Sequence, residues 1–293
     1  MPLLNLRQNT PEWSAYRKGK IGASLAPVIM NVSPWQTPYQ LWEEMLEIRP
    51  PKAQNAAMRR GLDLEQRARN LFEIETGISV SDAVYEHDAV DWLFASFDGL
   101  SENGEIAVEI KWTKKEFHDL ACNGKVPECY YPQLQHQMNV KSLNKIYYSS
   151  NYFIDEINIS QINLNVPRDQ SYIDQLMDKE TKFIKRVRTF DPPPMTERDI
   201  EVREDFDWHY ASDLYKDLIR YQKELEGRIE KAKNNLIDLS KNQNCKGNSI
   251  SLTKVARKGN LDYSQIPELR QIDLEKYRKP VSSYWKISIN GDE

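Results

Sequence analysis

A chain of 293 residues with 40% hydrophobic and 29% charged residues and a net charge of −4 has the composition of a soluble globular protein, and it argues against extensive disorder. No apolar run approaches the roughly 18 residues a membrane span needs, and the opening MPLLNLRQNT lacks the apolar core of a signal peptide, so a cytoplasmic location is expected. Cys122, Cys129 and Cys245 have no metal-site spacing and cannot all be bridged, which excludes a disulfide scaffold or a four-cysteine cluster and leaves reduced thiols.

In chain order, Thr10-Pro11-Glu12 and Thr37-Pro38 each set a capping hydroxyl before a proline suited to the first helical position, and Gln40 completes a capping box with Thr37. Two early helices are expected there. A third runs from Ala56 to Thr76 and stops at Gly77. From Val80 to about Lys111 the pattern turns to short β-prone stretches, Pro132 opens a helix through Val140, and residues 146–166 again read as strands. Helical spacing returns with Tyr172, Leu176, Phe183 and Val187 and ends before Asp191-Pro192-Pro193-Pro194, where a border divides residues 1–190 from an appendage, 191–293. In that appendage Leu214, Leu218, Tyr221, Leu225, Ile229, Ala232, Leu236 and Leu239 describe a long amphipathic helix with a coiled-coil-like seam. The tail beyond Gly247 holds β-prone pieces and a basic turn, Lys254, Arg257 and Lys258, whose plain reading is a solvated hairpin and whose alternative is contact with backbone phosphate.

The overall charge by itself argues against a nucleic-acid partner, but basic residues cluster locally: Arg7, Arg17, Lys18 and Lys20; Arg59, Arg60, Arg67 and Arg69; Lys111, Lys114 and Lys115. Any one cluster alone reads as solvated surface.

The chemistry concentrates in residues 92–112, WLFASFDGLSENGEIAVEIKW. Asn103-Gly104 signals a two-residue hairpin turn, and a turn centred there sets Asp98 directly opposite Glu109. On the second strand Ile106, Val108 and Ile110 alternate with Ala107, Glu109 and Lys111, so the carboxylate and the ammonium share one face. Carboxylates in close opposition call for a cation, and Mg²⁺ takes a few carboxylate oxygens while keeping waters. On the 56–76 helix, Glu65 falls inside the apolar arc of Met58, Leu62, Ala68, Leu71 and Phe72 and needs a partner: a metal, or a nearby arginine that merely fixes packing. Such a cluster suits phosphodiester hydrolysis, with Lys111 orienting or helping to deprotonate a water and stabilising developing charge.

These residues resemble the lambda-exonuclease-like branch of the PD-(D/E)xK nuclease superfamily, and in particular the YqaJ-type viral recombinase family. The resemblance spans roughly residues 13–166 and rests on ordered pieces: residues 13–24 (WSAYRKGKIGAS), Ser33-Pro34-Trp35 with Thr37-Pro38, Arg60-Gly61 with Leu64-Glu65, Ser96-Phe97-Asp98-Gly99, Glu109-Ile110-Lys111, and Tyr131-Pro132-Gln133-Leu134-Gln135. It implies an α/β (α+β) fold, a mixed sheet flanked by helices with a restriction-endonuclease-like core. It further implies Glu65, Asp98, Glu109 and the backbone carbonyl of Ile110 as ligands of Mg²⁺, with Mn²⁺ as substitute. Lys111 becomes the catalytic lysine and Gln133 a further member of the site, where a glutamine packing its own helix is the plain alternative. Arg17, Ser24 and Ser96 match positions that bind the 5′-phosphate of a DNA end, which suits the fixed fork of an arginine and a serine at a helix start. Phe97 departs from the usual proline and Trp112 from a common cysteine, a change expected to alter packing more than catalysis.

The activity so implied is 5′-to-3′ exonuclease digestion of linear double-stranded DNA in phage-type recombination, beside a single-strand annealing protein and in a homo-oligomer that can close into a ring. Two alternatives stay open: an endonuclease with the same metal site, and a nonenzymatic DNA-binding assembly protein that works through its long helix.

Overall fold

The structure, a computed structural model, describes residues 10–50, 56–155 and 158–259, together with Leu3, Leu4, Leu6, Ile266, Pro267, Leu269, Ile272 and Lys279; of residues 56–63 it describes the backbone. Arg7 and the side chains of Arg59 and Arg60, members of the expected basic clusters, lie outside the described residues.

Helix α1 (Pro11–Tyr16) starts at Thr10, whose hydroxyl accepts from the Trp13 N–H at 3.2 Å. Strand β1 (Ile21–Gly22), a 3-10 turn (Ala23–Leu25) and helix α2 (Ala26–Ile29) follow. Helix α3 (Pro38–Met45) carries the full capping box: Gln40 N–H donates to Thr37 Oγ1 at 3.1 Å and Thr37 N–H to Gln40 Oε1 at 3.3 Å. Helix α4 (Ala56–Thr76) occupies the expected span and stops at Gly77, whose φ of +70° a side chain would resist. Beyond it come β2 (Val80–Glu86), β3 (Leu93–Ser101), β4 (Ala107–Trp112), α5 (Lys115–Cys122), α6 (Tyr131–Lys141), β5 (Lys145–Phe153), β6 (Ile159–Pro167) and α7 (Gln170–Thr189).

The six strands form one mixed sheet in the order β1-β3-β4-β5-β6, with β2 paired to β3. Strand β2 runs antiparallel along one edge of β3 from Phe94 to Ser101. A strand has two edges, so β1 and β4 must share the other: β1 lies parallel at Leu93 and Phe94, and β4 lies antiparallel at Gly99 and Leu100. The stretch between, residues 95–98, has no strand on that edge, and it carries Ser96 and Asp98.

Helices cover both faces of this sheet. On one, Leu134 and Met138 of α6 and Phe183 and Val187 of α7 pack with Leu93, Ala95 and Phe97 of β3. On the other, Ala68 and Phe72 of α4 meet Val80, Val108 and Ile110. Burying a side chain such as Phe72 contributes about 1.5–3 kcal/mol. The buried His136–Glu180 pair, Nδ1 to Oε1 at 2.7 Å, ties α6 to α7, and His136 Nε2 contacts the Phe94 carbonyl at 2.9 Å. The Phe94 carbonyl can only accept, so Nε2 carries a proton there, and the Glu180 charge favours the protonated ring against the opposing effect of burial.

Two expectations need correction. The Asn103-Gly104 turn is a longer loop, residues 102–105, closed by Ser101 N–H to the Ile106 carbonyl at 2.8 Å. Within it only Gly104 takes a positive φ, +70°, whereas the two-residue form requires two such residues. The hairpin register survives, with Gly99 opposite Val108 and Leu100 opposite Ala107, but the ladder ends there and Asp98 is not paired with Glu109. The cause is a β-bulge: pairing to β2 shifts between Ser81 and Ala83, so Asp98 and Gly99 together face Asp82.

The chain forms two compact units, Met1–Ile200 and Glu201–Glu293. Residues 191–200 fasten to the first, by Arg186 Nη1 to the Pro192 carbonyl at 2.7 Å, Arg198 Nη1 to the Ser33 carbonyl at 3.0 Å, and Asp199 bonded to the Thr37 hydroxyl. The break therefore falls after Ile200, later than the proline run suggested. The second unit contains helix α8 (Phe206–Leu239) and a hairpin of β7 (Cys245–Gly247) and β8 (Ile250–Leu252). Every residue of the expected α8 seam is exposed. Lys254, beyond the hairpin, donates to Asn242 Oδ1 at 3.2 Å. Among the described residues no helix is long and apolar enough to cross a membrane.

Candidate active site

The bulge opens β3 from β4 and leaves a wedge between them. From one arm Asp98 reaches across, its Oδ2 accepting the Ile110 N–H at 2.8 Å, so the carboxylate takes a place the ladder has vacated. From the other arm comes Glu109, buried to 3%, which accepts from Lys111 Nζ at 2.5 Å and Gln133 Nε2 at 2.6 Å on Oε1. Gln133 therefore does not merely pack its own helix.

Gln137, one helical turn beyond Gln133, donates to Glu109 Oε2 at 2.5 Å and to the Ser96 carbonyl at 3.0 Å. It was missed in the sequence, where the Gln133-x-x-x-Gln137 spacing on one helix face was the available signal. Its Oε1 is buried and, among the described residues, has no hydrogen-bond donor.

Glu65 takes the arginine option, its Oε1 bonded to Arg69 Nη2 at 2.8 Å. It is still close enough to be felt. Burial raises its pKa, Arg69 opposes the rise and Glu109 adds to it. Asp98 is pushed well above the usual carboxylate range, by burial first and then by the Glu109 charge. Burial works against the charge on Lys111, but Glu109 and Asp98 outweigh it and raise its pKa. The Lys111 ammonium also stands 5.5 Å from the ring centre of Tyr130, whose phenol burial pushes up to about 12. Among the described residues no three His, Cys, Asp or Glu side chains already stand at metal-holding spacing.

The residues expected to bind a phosphate make a second group. Arg17 lies over the Trp13 ring at 4.2 Å, and Trp13 Nε1 donates to Ser96 Oγ at 3.2 Å, so the indole joins the two. Burial lowers the Arg17 pKa and Glu44 opposes the change. Ser24 is exposed on the turn after β1, which lies parallel to the strand bearing Ser96. Gln137 links the groups through the Ser96 carbonyl and Glu109. Other basic residues are engaged in ion pairs: Lys18 with Glu47, Lys20 with Glu86 and Lys115 with Asp119. Phe97 is fully buried and packs on Tyr85, while Trp112 stacks on Phe153 at 4.7 Å, so both departures from the family pattern are packing residues.

A mixed sheet flanked by helices, with acidic groups and a lysine gathered where two strands part, is a nuclease type of fold, and comparison with known proteins agrees. Residues 12–144 match the model of the YqaJ-like viral recombinase domain. It is 27% identical over 187 residues to the uncharacterized protein YqaJ of Bacillus subtilis strain 168, a match covering 61% of this chain and 56% of that protein, so the chain spans little more than half of this curated relative. Among solved structures it resembles the alkaline exonuclease LHK-Exo of Laribacter hongkongensis, with a TM-score of 0.55 and 25% identity over 62% of this chain and 94% of that one. The complex of LHK-Exo with dAMP gives 0.54 and 26% over the same shares.

Proposed function

We propose that the chain is a Mg²⁺-dependent exonuclease that digests linear double-stranded DNA from the 5′ end. The observation that supports this most is the wedge itself: Asp98 on one strand, Glu109 and Lys111 on the next, and Gln133 from α6 meeting Glu109. The likeness to an alkaline exonuclease adds the reaction class, and the dAMP bound by that protein is a nucleotide of the product type.

The donor set fits a hard divalent cation. Asp98, Glu109, Glu65 and the Ile110 carbonyl offer only oxygen, and Asp98 and Glu65 have their pKa values raised by burial first and then by the Glu109 charge, both of which a cation offsets. Those four groups would hold the ion, Glu65 after leaving Arg69. When bound, Mg²⁺ supplies polarisation of the phosphoryl oxygen and a more acidic water. Lys111 gives a fixed positive charge beside the wedge to stabilise charge developing on the phosphate. Gln133 and Gln137 hold both Glu109 oxygens in place. Arg17, oriented by Trp13, with Ser96 and Ser24, would receive the terminal 5′-phosphate.

Under this reading the partners are duplex ends and an annealing protein that takes the freed 3′ strand, with copies of the chain closing around the DNA. The test is digestion of 5′-phosphorylated linear duplex, 5′-hydroxyl linear duplex and a closed circle with Mg²⁺ or Mn²⁺. Rapid loss of the phosphorylated linear DNA alone is expected. Cutting of the circle points to an endonuclease, and absence of cleavage despite DNA binding points to an assembly protein.

A further inference from the structure

Next to the wedge, an aromatic path leads out to solvent. Tyr130, whose ring centre lies 5.5 Å from the Lys111 ammonium, is also stacked against Trp35, with centroids 5.9 Å apart and planes inclined by 30°. Trp35 sits in the loop between α2 and α3, where its backbone N–H donates to Ser33 Oγ at 3.3 Å, and half of its surface, 50%, is open to solvent. Phe117 meets Tyr130 edge-on at 5.7 Å, so the inner ring is braced from the side. A large indole half exposed while stacked on a braced inner ring is a flat apolar platform set in a polar surface.

Beside this indole lies a cavity of about 370 Å³, lined by Trp35, Gln36, Gln40, Glu44, Arg49 and Pro50, with room for a planar ring system. Its polar side chains already hold partners, within the lining or beside it. Gln36 donates to Glu44 at 2.7 Å, Gln40 serves the Thr37 N–H and the Arg198 carbonyl, and Arg49 binds Glu43. They can frame a ring but have little left with which to read its edges.

We propose that Trp35 is a nucleobase-stacking platform, holding one base of the bound DNA strand by its π-face and without reading its identity. This rests on the nuclease reading above for its ligand and adds a subsite to it. Stacking suits the geometry because every base offers a π-face, and a platform whose neighbouring polar side chains already hold partners gives affinity with little sequence preference. The two steps from Lys111 to Trp35, 5.5 and 5.9 Å, keep the indole within about three base steps of a duplex strand, so the stacked base belongs to the nucleotides nearest the reacting phosphate.

The experiment measures affinity by fluorescence anisotropy in EDTA, using 5′-phosphorylated duplexes in which each nucleotide near the 5′ end is made abasic in turn. Wild type, Trp35→Ala and Trp35→Phe are compared after thermal melting has shown that each is folded. We expect Trp35→Ala to weaken binding about tenfold, within the range for loss of one base–aromatic stack, and Trp35→Phe to keep most of the affinity. One abasic position should cost the wild type a similar factor and cost Trp35→Ala nothing. Wild-type affinity in Trp35→Ala, or an abasic scan that is flat in the wild type or identical in both proteins, overturns the platform. Adding Mg²⁺ separates the two readings: DNA bound but uncut refutes the nuclease and leaves the scan to judge Trp35, whereas folded protein that binds no DNA refutes both.

Discussion

Replacing Gln137 with leucine tests the site by a change of nearly constant shape. Gln137→Leu removes the bond to the Glu109 carboxylate and the bond to the Ser96 carbonyl. The first is charge-assisted, worth about 1.5–3 kcal/mol, and the second is neutral, worth about 0.5–1.5 kcal/mol. Against these stands the buried Oε1, without a hydrogen-bond donor among the described residues, whose removal returns about 1–2 kcal/mol. The net loss is about 2 kcal/mol, which for a domain of this size lowers the melting temperature by roughly 4–8 °C. The assay is thermal unfolding followed by near-UV circular dichroism without divalent ions, with cleavage of linear duplex measured in parallel and expected to fall about tenfold or more as Glu109 loses its orientation. A variant within about 0.5 kcal/mol of wild type and fully active would refute the reasoning. Gln137→Glu is the complementary change: it sets a second carboxylate against Glu109, so its deficit should shrink as pH falls and that carboxylate is protonated.

Lys111→Ala should reduce cleavage at least 100-fold while leaving DNA affinity largely intact; lost binding with unchanged turnover per bound molecule would sink the catalytic assignment. Arg17→Ala, by removing a charge-assisted phosphate contact, should cut the preference for 5′-phosphate over 5′-hydroxyl ends roughly 10-fold to 100-fold, read from paired digestion rates. At Gly99 an added Cβ would lie 2.6 Å from Val80 Cγ2 and 2.7 Å from Val108 Cγ1, so Gly99→Ala should destabilise by about 1–3 kcal/mol in urea unfolding, and the companion Val108→Ala should recover part of the loss. His136 titrates above its ordinary 6.5, burial being outweighed by the Glu180 charge and hydrogen bond. Its contribution to stability is complete below the unfolded value and is lost as pH rises through the higher folded value. Urea midpoints should therefore decline across that range, and His136→Gln should flatten this component.

The local signals in the chain were strong where a side chain answers to its near neighbours. The capping box of Thr37 and Gln40, the stop at Gly77 and the span of α4 were all legible, because each depends on residues three or four apart. The ordered motifs from Trp13 to Gln135 also sufficed for the family resemblance. The hairpin register was legible too, but its end was not: the bulge beside which Asp98 loses its ladder pairing with Glu109 lies in the pairing with β2, which hairpin reasoning leaves out.

By itself, then, the sequence determined the longer helices, the two β-prone regions and which polar residues lie close along the chain, since those follow from periodicity and short-range hydrogen bonding, whereas the short helices α2 and α5 were not read from it. Tertiary structure alone decided that β1 and β4 share one edge of β3 and leave Ser96 and Asp98 in the gap. It also decided that Gln137 spans that gap, that Trp13 joins Arg17 to Ser96, and that Glu65 turns to Arg69. These contacts join residues far apart in the chain or choose among partners that a single helix offers equally, and their selection rests on packing and on the need to satisfy buried polar groups, which no local pattern encodes.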